Sequence, residues 1–120
     1  AFARIRNHKA PAKIVALTGT NIFPRHGYTQ LFLEGTWVSM APTFDSTLCA
    51  KIGVPVVEWD GQTDATLPLE DLNGGKYIEY VEKFGHYADL PFDGIVAETS
   101  KTVGKDKRHW LSREDITRGL

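Results

Sequence analysis

The clearest alternation of apolar and polar positions runs from His26 to Asp45, where two stretches rich in aromatic, β-branched and aliphatic residues flank Glu34-Gly35. A two-residue connection ending in Gly reverses antiparallel strands without splaying them, so the segment predicts a β-hairpin. With Glu34 and Gly35 as its loop, Leu33 faces Thr36, Phe32 faces Trp37, Gln30 faces Ser39, Tyr28 faces Ala41 and His26 faces Thr43. Side chains alternate across a sheet, so Leu31, Leu33, Val38 and Met40 share one face, the predicted core face. His26 lies on the other, with Thr43 opposite and Ala41 and Asp45 on its two diagonals, about 7 to 8 Å away at the backbone. A carboxylate on such a diagonal reaches an imidazole.

Ahead of the hairpin, Phe2 to Arg6 alternates apolar and basic residues as a short strand does. Pro11 and Gly19 bracket a short helix, although the β-branched Ile14 and Val15 also allow a strand. After the hairpin, Asp45 or Ser46 caps a helix through Leu48, Ala50 and Lys51 that stops at Gly53. Val54 to Trp59 reads as a brief extended segment, and Asp60 to Gly75, crowded with Asp, Gly and Asn, as a long surface loop. Tyr77 to Phe84 is a third main strand. Pro91 starts a helix whose apolar stripe is Ile95, Val96, Thr99 and Val103, ending at Gly104. Lys105 to His109 is a basic run, and Ser112 to Asp115 has the form of a capping box. The elements predict an α+β fold, an antiparallel sheet with short flanking helices.

The chain has 120 residues, 42% hydrophobic and 24% charged, enough for one domain, residues 1–120, with a modest core. A net charge of -1 and a pI near 6.5 provide no long-range field for nucleic acid or an anionic membrane. No apolar run is long enough to span a bilayer, and Ala1 to Arg6 lacks the order of a signal peptide. Cys49 is the single cysteine, which fits a reducing, cytoplasmic setting.

Phosphate loops, His-Glu-x-x-His, Cys-x-x-Cys and Gly-x-Ser-x-Gly are all lacking. His8, His26, His86 and His109 are dispersed singly, which gives neither a metal nor another cofactor support. His26 reads in two ways. A hydroxyl opposite and a carboxylate on the diagonal are how a general base is held in one tautomer, yet a strand-end histidine with ordinary hydrogen bonds has the same pattern. Asp45 is most simply a helix cap and is able to serve as an orienter as well. Cys49, between Leu48 and Ala50 inside the predicted helix, reads as a small buried hydrophobe rather than a nucleophile.

His26, Gly27-Tyr28, Leu31 to Gly35, Trp37-Val38 and Pro42 to Asp45 together resemble the His-to-Asp hairpin of the transglutaminase-like superfamily. That papain-like group comprises Cys-His-Asp enzymes and their inactive relatives. Arg6 to His8, Gly53 to Pro55, Asp60-Gly61, Glu79 to Val81 and Tyr87 to Phe92 are similar to bacterial members of one branch, so the resemblance covers residues 1 to about 98. It implies the β-rich part of a papain-like cysteine proteinase fold, with His26 as the base of a cysteine carried by a helix upstream of Phe2. The third triad position falls at Ala41, fifteen residues after His26, and the hairpin pairing nominates Asp45 instead.

By the same resemblance these 120 residues are the carboxy-terminal, His-bearing portion of a larger protein, inactive as an isolated fragment. The implied reaction is acyl transfer or hydrolysis at an amide of a protein or peptide substrate. A degenerate, non-catalytic interaction module is the competing reading. A sheet without its covering helix exposes apolar surface, so pairing with a second copy or with the upstream segment is expected.

Overall fold

The computed structural model describes residues 1–102. Three antiparallel strands form its first sheet in the order β2-β1-β5, with β1 at Phe2–Asn7, β2 at Ile22–Gly27 and β5 at Ile78–Lys83. The hairpin makes a second, two-stranded sheet from β3 (Thr29–Leu33) and β4 (Thr36–Met40). Helices α1 (Ala12–Thr18), α2 (Ser46–Ile52) and α3 (Phe92–Thr102) flank them, which makes the architecture α+β.

Glu34 and Gly35 both have positive φ, 49° and 82°, the primed-turn geometry that matches strand twist. From there the ladder keeps the predicted register through Leu31–Val38 and Gln30–Ser39 and ends at Thr29–Met40. The predicted pairs Tyr28–Ala41 and His26–Thr43 do not form. Tyr28 exchanges both backbone hydrogen bonds with Ala1, each 3.0 Å, while the N–H of Ala41 donates to the carbonyl of Ala65 at 2.9 Å. Competition from Ala1, just ahead of β1, and from Ala65 therefore opens the hairpin, and His26 belongs to β2.

Val54 to Trp59 joins neither sheet. One further expectation changes. The stretch from Asp60 to Gly75 is more than a surface loop, because Ala65 bridges Met40 and both Ala65 and Leu67 are buried. Polarity of its Asp, Gly and Asn residues hides the two apolar positions that anchor it.

One core cluster joins Ala3, Ile5, Tyr28, Ala41, Cys49, Val54, Leu67, Tyr77 and Ile78, and a smaller one joins Val38, Met40 and Ala65. Each fully buried large apolar side chain contributes about 1.5–3 kcal/mol. Phe32 and Trp37, on the hairpin's other face, stay 59% and 51% exposed.

Helix α2 starts where Asp45 accepts a hydrogen bond from the Leu48 N–H at 2.8 Å and stops at Gly53, whose φ of 71° suits a residue without Cβ. Helix α3 is tied to β2 where Arg25 bonds Glu98, and the same guanidinium bonds Tyr87 and lies over Phe84, both in the segment before the helix. Of its predicted stripe, Ile95 is half-buried and Val96 exposed, and Val103, the basic run and the capping box lie outside the described residues.

Candidate functional site

The site begins with an irregularity in β2. Ala3 pairs with His26 and Ile5 with Phe23, so the single residue Arg4 is opposed by two, Pro24 and Arg25. That is a β-bulge, and Pro24, which has no N–H for a ladder, is tolerated there. Phe23 and His26 are three apart and would face opposite sides of a regular strand. The extra residue brings them to one face, the face on which Ala3 and Ile5 are buried. Bulges recur beside active sites because they re-aim a side chain in this way.

On that face His26 lines a cleft of about 280 Å³ with apolar walls from Ile5, Phe23, Phe44 and Leu67, and with Thr43 among its polar neighbours. Thr43 thus reaches the histidine's surroundings although it is not its ladder partner. The ring is half-buried, and its Nε2 is buried with no hydrogen-bond partner among the described residues. Burial disfavours the imidazolium and pushes the pKa of His26 below the usual histidine value, which keeps the ring neutral at pH 7. A neutral imidazole retains a basic nitrogen, the requirement for a general base.

Tyr80 of β5 stands at 70° to the His26 ring with centroids 5.9 Å apart. Its hydroxyl accepts a hydrogen bond from the Leu67 N–H at 3.2 Å, and its ring meets Tyr28 edge to face at 6.3 Å. Burial raises its hydroxyl pKa, so it is a neutral phenol at pH 7. Sequence reasoning missed Tyr80, because strand alternation near Tyr77 to Phe84 does not reveal that β5 lies across β1 from β2.

Asp45 serves as the N-cap of α2 through Oδ1, and among the described residues no hydrogen bond or ion pair joins it to His26. Phe44, the residue before it, lines the cleft. The hydroxyl of Thr43 donates to the Ala41 carbonyl at 3.2 Å. Cys49 is 2% exposed with Sγ 3.8 Å from the Phe44 carbonyl oxygen, and it packs as a small hydrophobe.

The other histidines lie elsewhere. His8 bonds Glu79 at 2.8 Å and His86 packs on Trp37 with the rings tilted at 44° and centroids 4.4 Å apart, while His109 lies outside the described residues. No three His, Cys, Asp or Glu side chains among the described residues are grouped to hold a metal ion. None of the described helices is long and apolar enough to cross a membrane. Comparison with protein-family models, curated proteins and solved structures finds no match to this chain.

Proposed function

We propose that this chain is the His-bearing part of a transglutaminase-like, papain-like cysteine enzyme, with His26 as general base and then general acid. The observation that carries the reading is the buried, partner-free Nε2 of a half-buried histidine whose pKa is lowered, at a cleft beside Thr43 and Phe44. In this reading the nucleophile is a cysteine carried on a segment other than these 120 residues, since Cys49 is buried in the core. His26 takes the thiol proton, the thiolate attacks an amide carbonyl of a protein or peptide, and the imidazolium returns the proton to the departing amine, leaving a thioester. Water or a second amine then releases the acyl group. Asp45 holds the α2 cap through Oδ1, and in this reading its other oxygen orients the imidazole once the cysteine-bearing segment is in place. A cytoplasmic setting goes with a lone, reduced cysteine.

The test is alkylation of that cysteine in the natural polypeptide. His26→Ala is expected to slow iodoacetamide labelling at neutral pH by about 10²-fold, the scale of general-base assistance. Equal rates in the two proteins overturn the proposal. One observation favours a second reading, a non-catalytic transglutaminase-like interaction module: Asp45 makes no hydrogen bond to His26 and spends Oδ1 on the helix cap. Uptake of label by no thiol in the natural polypeptide supports that module.

A further inference from the structure

We infer that Tyr80 is the positioning residue of His26, holding the imidazole by its ring across the small side chain of Ala3. Strands β2 and β5 are not neighbours, because β1 runs between them. Adjacent strands lie about 4.8 Å apart, so two side chains separated by a third strand meet only if the residue between them is short. Ala3 pairs with His26 and is fully buried, and the next inward residue of β1, Ile5, pairs with Tyr80. With the short Ala3 opposite His26, the two rings come to 5.9 Å in the edge-to-face arrangement that aromatic pairs prefer.

Tyr80 is suited to the role because it is fixed from three sides. Its hydroxyl is anchored by the Leu67 N–H, Tyr28 packs at right angles to it, and the ammonium of Lys83 lies 5.6 Å from the ring centre. No hydrogen-bond partner meets Nε2 of His26 among the described residues, and the ring contact with Tyr80 is the restraint they supply to the imidazole. Ionisable groups near the pair include Arg25 on β2, which is bonded to Glu98, Lys83 on β5, and the phenols of Tyr28 and Tyr77.

The inference rests on reading His26 as the base, and its test separates the two. In the 120-residue protein, histidine ring resonances are followed by NMR as pH varies in wild type, Tyr80→Phe and Tyr80→Leu. Tyr80→Phe keeps the ring and is expected to retain both the lowered His26 titration midpoint and the cross-relaxation between the two rings. In Tyr80→Leu the midpoint is expected to rise to about 6.5, the ordinary histidine value, as the imidazole is released into solvent. A folded Tyr80→Leu protein with an unchanged His26 midpoint overturns the inference. If Tyr80→Leu does not fold, Ala3→Val decides, because its added methyl groups separate the rings: a raised midpoint supports the inference and an unchanged one refutes it. Thiol alkylation with Tyr80 intact tests the base itself, so failure of one reading is not failure of the other.

Discussion

Ala3 lies directly across from His26, while two residues along β1 Ile5 lies across from Phe23, three residues along β2. The mismatch of one residue decides which side of the sheet the imidazole occupies. Removing Pro24 would leave Phe23 and His26 two apart and on the same face of a regular ladder. A one-residue change in a strand without a bulge reverses every side chain beyond it, so the two situations give opposite outcomes. The Pro24 deletion is expected to fold with His26 still shielded, seen as an unchanged, lowered NMR titration midpoint. Exposure of His26 in the deletion would show that the bulge is not what directs it.

Burial of the imidazole links stability to pH. The pKa of His26 is lower in the folded chain than in the unfolded one, so between the two values the unfolded state binds more protons. The histidine's contribution is fully present above about pH 6.5 and is lost as pH falls from there through the folded-state pKa. Urea midpoints measured from pH 8 to pH 5 are therefore expected to fall more steeply for wild type than for His26→Gln. Parallel curves would mean that His26 titrates as freely in the folded protein as in the unfolded one.

Asp45 carries two assignments that one pair of variants separates. Asn caps a helix about as well as Asp, whereas Ala costs about 1 kcal/mol at that position. Asp45→Ala is expected to lower stability by about that amount, and Asp45→Asn to stay within a few tenths of wild type in chemical denaturation. In the natural polypeptide, an orienting carboxylate predicts slower thiol alkylation for Asp45→Asn despite its intact stability. Wild-type alkylation in Asp45→Asn confines the residue to the cap.

What was legible in the sequence was what local chemistry decides. The primed turn at Glu34-Gly35, the Asp45 cap and the Gly53 stop follow from residue types at adjacent positions, and all three form as expected. The register of β3 on β4 follows from the turn. The ladder does not continue to His26, because Tyr28 has a better partner in Ala1, and a competitor 27 positions away leaves no mark on the local pattern. The same limit hid Tyr80, whose contact with His26 exists only because β1 is shared by β2 and β5.

The burial of Leu67 and Ala65 was hidden for a different reason. Asp60 is held by the Thr63 hydroxyl and by the N–H groups of Thr63 and Gln62, and these bonds depress its pKa to about 2. Asp64 accepts from the Ser39 N–H at 2.7 Å. Polar residues that mark a loop by composition here tie it down, and the apolar residues between them enter the core.

Tyr77 supplies a last expectation. It is 1% exposed, its hydroxyl has no hydrogen-bond partner among the described residues, and burial, with lesser contributions from Cys49 and Tyr80, pushes its pKa up to about 12. A buried hydroxyl without a partner has lost its hydration for no return, so removing it is neutral or favourable. Tyr77→Phe is expected to match or exceed wild-type stability at pH 7, with any gain within about 1–3 kcal/mol, in urea denaturation. The sign at alkaline pH follows from the raised folded-state pKa, since wild type loses stability as pH climbs from about 10, where the unfolded phenol ionises, toward the folded value. Tyr77→Phe removes that loss, so its advantage is expected to widen above pH 10. A variant clearly less stable than wild type at pH 7 would mean that the hydroxyl has a partner in solution.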